Sequence, residues 1–568
     1  MFAPLARVSY VSDRPENPRE IDVDAVATAE AAPIDESHAR ARSGRLARST
    51  ALFSLATAAS RVAGLVREIV AASYFGVTGA MSAFTVAFLA PNLMRSLFAD
   101  AALQAAFVPV FTELLERGER REAFRVASTM IFLVGLVLGA ITALFILVAP
   151  VAIELIAPGF NDELVDLTVA LSRILFPILV LLGLTGMVVG VLNSYDRFGV
   201  FAISPFFWNI AIIAVLVGLT PAFPEEDEIY AYAIGVLVGT VIQLVLPVVD
   251  LSNTPFGVRR ALTAPFRLVS LRRAREPNVK RVLILMLPVT ISLGLINFNL
   301  LINALFGSLV SDQAPAAIDK AFRIYMLPQG IFSVAIATVL FPTLARFAAR
   351  ADLDGLRATM ANGMRQILLL LVPAAAAILV LAEPMTRLVY ERGVFDAAST
   401  DLVSEALFWF AFSLPFNGLF LLLTRTFFSL QRPWLPTAIS AGNLAVTALA
   451  AALLHEPFGV GGIVAATVIA TIASVIAQAA VLRGALGRLE LWTLLWSGAR
   501  IALAAAALAG TAFLVWDVLD SELGRGLGGQ IVSLGTALGA GALVYLGAVL
   551  ALRVPEARQA LRVLRRNR

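Results

Sequence analysis

The sequence predicts an all-α polytopic membrane protein of about fourteen spanning helices in two lobes. Three observations carry that expectation. The chain is 59% hydrophobic and only 15% charged, apolar runs near the ~20 residues needed to cross a bilayer recur along its length, and its arginines collect between those runs. Soluble domains average about 45–50% apolar and about 25% charged residues, so a soluble enzyme is excluded. A disordered chain is excluded too, because such chains are poor in apolar residues and rich in charge. The mean hydropathy of +0.84 agrees, and the pI of 9.6 does not point to nucleic acid. The basic residues lie in short inter-run stretches rather than along one phosphate-tracking face.

Taken in order, residues 1–48 are polar, with acidic residues in the middle and no apolar stretch of a signal peptide. They read as a disordered cytoplasmic tail. Spans are expected near 50–75, 80–111, 123–149, 166–194, 200–220, 229–249, 280–308 and 314–345. Six more are expected near 362–382, 400–428, 434–454, 459–483, 493–517 and 528–552. The run 80–111 is the least regular, since Pro91, Asn92, Arg95 and Asp100 interrupt it. Such residues are tolerated at depth only where neighbours or an aqueous cavity satisfy the freed groups.

These spans group into an N-lobe over 49–249, a basic cytoplasmic linker over 250–279, a C-lobe over 280–483, a terminal pair over 484–552 and a basic cytoplasmic tail over 553–568. The linker holds Leu262, Phe266, Leu268, Val269 and Leu271 among its arginines. It reads either as an amphipathic helix on the anionic inner leaflet or as a solvated connection. With the N-terminus inside, thirty arginines and lysines fall in inner segments, against Arg387, Arg392 and Arg525 in outer ones. The asymmetry places both termini in the cytoplasm.

A faint repeat supports two halves. Ala83-Phe84, Pro91 and Phe107-Val108-Pro109 are echoed by Ala321-Phe322, Pro328 and Phe341-Pro342. The proline spacings of 18 and 14 residues differ by 4, about one helical turn. Repeated halves with broken helices facing one cavity are a common transporter plan.

The informative residues are charges inside apolar runs. Arg61, Arg67 and Glu68 break the first span, and Arg67 lies roughly 25 Å from its cytoplasmic start at 1.5 Å per residue. Arg95 and Arg323 lie roughly 22 and 14 Å below the outer ends of their spans by the same rise. A lipid-facing arginine at the bilayer centre costs about 2.5–3.5 kcal/mol even on the lenient insertion scale. The three are therefore expected to face an interior. Forked guanidinium donors match phosphate oxygens, so the set points to an anionic substrate, a phosphate or diphosphate. Pairing of Arg67 or Arg61 with Glu68 or Asp100 is the alternative, although the arginines outnumber the nearby carboxylates. Arg173 and Arg425, near helix ends, read as snorkelling side chains.

Asn297, Asn299 and Asn303, with Asn443 and Thr447, form either a weak cation site through side-chain oxygens or interhelical hydrogen bonds. The chain has no cysteine, only His38 and His455, and no phosphate-binding G-x-x-x-x-G-K-[ST] loop. Nothing here points to an enzyme, a metal centre or a cofactor.

Ala59-Ser60-Arg61-Val62-Ala63-Gly64-Leu65-Val66-Arg67-Glu68, followed by Tyr74-Phe75-Gly76, resembles the opening helix of the MurJ (MviN) lipid II flippases. Pro91-Asn92-Leu93-Met94-Arg95-Ser96-Leu97-Phe98-Ala99-Asp100 with Ala106-Phe107-Val108-Pro109 is similar to that family's most recognisable segment. Ala157-Pro158-Gly159-Phe160, Leu192-Asn193-Ser194, Arg323-Ile324-Tyr325-Met326-Leu327-Pro328-Gln329-Gly330 and Ala337-Thr338-Val339-Leu340-Phe341-Pro342 follow in the same order. The resemblance covers roughly residues 50–550.

It implies a fourteen-helix, two-lobed bundle of the multidrug/oligosaccharidyl-lipid/polysaccharide exporter superfamily. The implied activity is movement of lipid II, the undecaprenyl-diphosphate-linked peptidoglycan precursor, across the bacterial plasma membrane by alternating access. It further implies diphosphate binding by Arg67, Arg95 and Arg323, with Arg61, Glu68, Ser82 and Asp100 supporting, and a polyprenyl groove on the last two helices. Implied partners are membrane lipid and cell-wall synthesis proteins. This chain departs from the family pattern at Ser82 and Phe322, where acidic residues are usual. It departs again at Asn303 and Thr447, where sodium-binding members have carboxylates. Membrane potential is then favoured over sodium as the driver, with a monovalent ion still open. Transport of another polyprenyl-diphosphate oligosaccharide and cation-coupled drug antiport are the alternative functions.

Overall fold

The computed structural model describes residues 36–98, 101–197, 199–264, 273–487 and 491–557. Its contacts divide the chain into 1–55 and 56–568, and the packing and site below belong to the second unit. Among the described residues there is no strand. The helices are α1 (Glu36–Phe75), α2 (Gly79–Phe98), α3 (Ala101–Glu116), α4 (Arg120–Ile156), α5 (Asp162–Leu175), α6 (Ile178–Asn193), α7 (Gly199–Leu219), α8 (Ile229–Asp250) and α9 (Val258–Thr263). They continue with α10 (Pro277–Val310), α11 (Ala314–Pro328), α12 (Val334–Ala349), α13 (Leu353–Tyr390), α14 (Ala397–Ser429), α15 (Trp434–Leu486), α16 (Leu491–Leu523) and α17 (Leu527–Ala551).

Ten helical stretches among the described residues are long and apolar enough to cross a membrane. One of them, α15, is 53 residues long, far more than the ~20 that a single crossing needs. Gly459 breaks it at φ +53°, a conformation glycine adopts without steric cost, so α15 supplies two spans. Adding α1, α2 with α3, and α10 recovers the fourteen expected. Their boundaries follow proline chemistry. The run 166–194 is two helices meeting at Phe176-Pro177, and the run 314–345 passes through a π-helical turn at Gln329–Ser333 after Pro328. The second copy of the faint repeat thus falls on an interrupted helix.

Two expectations are corrected. Residues 36–48 are helical rather than disordered, because Ala39, Arg40, Ala41, Arg42, Leu46 and Ala47 are strong helix formers. Residues 1–35 and the tail from 558 lie outside the described residues. The first part of the 250–279 linker does not lie free on a leaflet: Phe256 is fully buried, Ala261 and Ala264 are buried, and all three join one apolar core with α3, α4, α6, α8 and α10. Phe256 meets the Phe124 ring edge-on at 5.5 Å. Phe266, Leu268, Val269 and Leu271 lie outside the described residues.

A larger core joins α1, α2, α5, α7 and α8 to α11 through α15. Helices α16 and α17 pack on each other through small residues. A Cβ at Gly541 would stand 3.2 Å from the Cβ of Ala512, the close approach that small residues permit inside membranes. The pair is tied to α13 along its length. Arg365 meets Glu556 at 2.8 Å, the Tyr545 hydroxyl donates to the Leu369 carbonyl at 2.6 Å, and Arg387 pairs with Asp520. Arg387 is therefore not an outer-loop charge. It is 2% exposed in the last turn of α13.

Candidate functional site

Glu68, in the middle of the apolar run of α1, is 4% exposed and gathers three cations. Arg67 reaches its Oε1 at 2.5 Å, the Lys320 ammonium donates to its Oε2 at 2.9 Å, and Arg323 stands 3.2 Å from Oε1. Arg323 also pairs with Asp319 at 2.9 Å, an i,i+4 pair on the surface of α11. Three positive groups thus face two carboxylates, and the cluster keeps one positive charge in surplus.

Local sequence explains how these groups meet. Arg67 and Glu68 are adjacent, about 100° apart around a helix of 3.6 residues per turn. Glu68 turns to α11 while the Arg67 guanidinium lies 4.7 Å over the Trp208 ring of α7, a favourable cation–π position. The first two turns of α11 present Ala314, Ala316, Ala317 and Ala321, all fully buried. Small residues there let the helix approach α1 and α2 closely enough to bury Lys320 completely. The Tyr390 ring of α13 lies 5.7 Å from its ammonium.

Beside the cluster is a cavity of about 90 Å³, whose wall includes Glu68, Asp319, Arg323, Asn92, Tyr232 and Asn303. Two buried rings, Phe84 and Tyr232, stack at 4.3 Å along it. Arg67 stands behind Glu68 rather than on the wall. Its Nε is buried without a hydrogen-bond partner among the described residues.

The structure brings Arg67, Glu68 and Arg323 together, with Arg67 in the pairing with Glu68 that the sequence left as the alternative and Arg323 on the cavity wall. Arg61 is exposed on α1, outside the cluster. The side chain of Arg95 and the whole of Asp100 lie outside the described residues. Ser82 has a different task from the supporting one expected: fully buried, it accepts a hydrogen bond from the Ala316 backbone N–H at 3.2 Å. It caps the N-terminus of α11 from a neighbouring helix. Ser82→Ala is expected to cost about 0.5–2 kcal/mol of stability, as cap removals do. A melting curve should record that loss while anion affinity stays unchanged.

The asparagines are spent on joining helices. Asn299 donates to Asn443 at 3.0 Å, Asn443 donates to Ser474 at 2.9 Å, and Thr467 donates to Asn303 at 3.4 Å. Thr447 donates to the Asn443 carbonyl at 2.9 Å. Of the expected cation set, Asn443 and Thr447 adjoin on α15, while Asn303 lines the charged cavity instead. Sequence reading missed Lys320 and Asp319. Their signal was present as two adjacent charges one helical turn before Arg323, but without the third dimension they read as the start of a helix.

The description "Lipid II flippase MurJ" matches residues 71–524 of this chain. A protein of Rhizobium meliloti called probable lipid II flippase MurJ is 34% identical over 478 residues, covering 82% of this chain and 86% of its own length. The lipid II flippase MurJ of Burkholderia cenocepacia is 32% identical over 69% of this chain and 75% of its own. In three dimensions the fold is similar to a lipid II flippase MurJ solved in an inward closed conformation, with a TM-score of 0.71 at 22% identity, over 88% of this chain and 99% of that one. An inward-facing multidrug-resistance MATE family transporter of the MOP superfamily is similar in fold, with a TM-score of 0.62 at 14% identity, over 76% of this chain and 95% of that one. The family match spans most of the chain, beginning near the end of α1 just after Arg67 and Glu68 and including all of α11; this multi-pass bacterial membrane protein belongs to the MurJ lipid II flippase family.

Proposed function

We propose that this chain carries lipid II from the inner to the outer leaflet by alternating access, binding its diphosphate at the Arg67, Lys320 and Arg323 cluster. The observation that carries the reading is the convergence of three buried or half-buried cations on Glu68 beside a cavity inside the apolar bundle. Glu68 stands where an anionic ligand would stand. A diphosphate offers more oxygens than a carboxylate, matches forked guanidinium donors and could satisfy the unmet Nε of Arg67. Arg95 is the further cation expected at the same ligand.

A cavity of about 90 Å³ has room for a few waters, not for a disaccharide-peptide head group. The head must enter a more open state, in which an N-lobe over 49–249 parts from a C-lobe over 280–483. The diphosphate would then displace Glu68 and release α1 from α11. The polyprenyl tail would stay in lipid along α16 and α17, where Leu503, Leu514 and Leu543 are over 60% exposed. Arginine placement supports cytoplasmic termini. An inside-negative potential would then favour outward movement of the anionic head by about 2.3 kcal/mol per charge per 100 mV. A flippase for another polyprenyl-diphosphate oligosaccharide would use the same cluster. A transporter of cationic drugs would need surplus carboxylate, and the surplus here is positive.

The test is the accessibility of lipid II, in cells depleted of this protein, to a head-group-cleaving enzyme that cannot cross the membrane. The reading expects lipid II to become protected on depletion and exposed again on rescue with the intact chain. Lipid II that stays exposed in cells without another flippase would overturn it.

A further inference from the structure

A second cavity, of about 540 Å³, opens between α4, α6 and α8 and shares no residue with the charged one. Its walls are entirely apolar or glycine, with Leu136, Leu184 and Leu244 on three different helices and Gly139 between them. Its size falls within the roughly 300–1,000 Å³ of small-ligand pockets. Ala261 and Leu262 of α9 close one end, and α9 is the short helix that Phe256 and Ala264 hold against the bundle. The cavity is open at the bundle surface, where its wall residues Leu136 and Leu262 are exposed, so an apolar chain can enter it from the side.

Basic side chains gather at the α9 end, and several of them are paired: Arg197 with Asp250 at 2.5 Å, Arg117 and Arg281 with Glu113 at 2.6 and 2.8 Å, and Arg125 with Glu122 at 3.4 Å. Arg260 donates to the carbonyls of Pro255 and Phe256, at 3.0 Å each, and lies 5.0 Å over the Phe124 ring. Arg259 is exposed and precedes Leu262 by three positions, so the two share a face of α9. An apolar chamber in the membrane thus ends beneath a basic side chain on the side that the arginine count assigns to the cytoplasm.

We infer that this cavity binds one acyl chain of an anionic glycerophospholipid from the inner leaflet, with the lipid phosphate against Arg259. The chain fills the space between α4, α6 and α8, and the phosphate holds α9 down. Because α9 lies in the segment joining the two halves of the bundle, the lipid would steady that connection while the halves move. The inference rests on the membrane reading and its orientation, not on lipid II being the substrate.

Native mass spectrometry of the intact purified chain tests it, with phosphatidylglycerol or phosphatidylcholine of matched chains added in separate titrations. A Cβ at Gly139 meets nothing within 4 Å, so Gly139→Phe places a ring in the free space. The expected result is one phosphatidylglycerol bound in preference to phosphatidylcholine, weakened more than about tenfold in Gly139→Phe. Arg259→Gln leaves the cavity intact and should remove about fivefold of the preference for the anionic lipid, as one basic side chain near a membrane surface does. Equal binding of the two lipids by the intact chain, or unchanged binding in both variants, would overturn the inference. So would a polyprenyl phosphate that displaces phosphatidylglycerol from the intact chain but not from Gly139→Phe, since the chamber would then belong to the carried lipid's tail.

Discussion

Glu68→Gln is expected to destabilise the ligand-free protein by about 3–5 kcal/mol, the usual cost of removing one partner from a buried ion pair. Lys320 is fully exposed to that loss, because its ammonium is 0% accessible and Glu68 is its ion-pair partner. Lys320→Met leaves Glu68 with Arg67 and Arg323 and should cost less. The double variant should recover part of the first loss, giving a coupling energy within the roughly 0.5–3 kcal/mol seen for contacting pairs. Chemical denaturation of the four proteins in one detergent measures it. Strict additivity would mean that Lys320 and Glu68 do not hold each other. An added diphosphate should stabilise Glu68→Gln more than the intact chain, because the variant has no Glu68 carboxylate to displace.

Gly393→Ala is the second change with a large expected effect. The Val394 N–H donates to the Ser73 carbonyl at 2.9 Å, joining the end of α1 to the loop before α14. Gly393 sits at φ +64°, and a Cβ there would stand 2.2 Å from the same carbonyl oxygen. Alanine in that conformation costs about 1–2 kcal/mol before any clash. A Cβ at Gly159 would stand 2.1 Å from the Ser308 carbonyl, so a second glycine on the proposed outer side allows the same kind of backbone approach. Gly393→Ala should therefore shift the balance from closed to outward-open by tenfold or more, about 1.4 kcal/mol. The chain has no native cysteine, so Thr85→Cys on the cavity wall reports alone. An impermeant maleimide applied outside should label it much faster with Gly393→Ala than without. Equal rates would show that this contact is not part of the outer closure.

The fourteen spans were legible because a bilayer demands length and apolarity, both properties of a linear sequence. The deep positions of Arg67 and Arg323 were legible for the same reason, since a charge inside an apolar run is conspicuous. What the sequence could not supply was convergence. That Arg67, Lys320 and Arg323 share one carboxylate depends on the alanines of α11 packing against α1. Arg387 looked like an outer-loop charge because its partner, Asp520, comes from a helix far along the chain. Ser82 looked like a lost acidic ligand because its acceptor role toward Ala316 exists only once α2 and α11 are side by side. The linker was not legible from composition: its arginines suited either a surface helix or a solvated connection, while Phe256, Ala261 and Ala264 are buried in the apolar core and anchor its first half.

The most direct measurement is transport by the purified chain alone. Proteoliposomes holding lipid II in the inner leaflet would be treated from outside with an impermeant head-group-cleaving enzyme, and cleavage followed in time. Steady cleavage beyond the outer-leaflet pool is expected with the intact chain, and none beyond that pool with the folded Arg67→Ala/Arg323→Ala variant. Cleavage no faster than in protein-free liposomes would contradict the transport claim. Equal cleavage by the double variant would contradict the site.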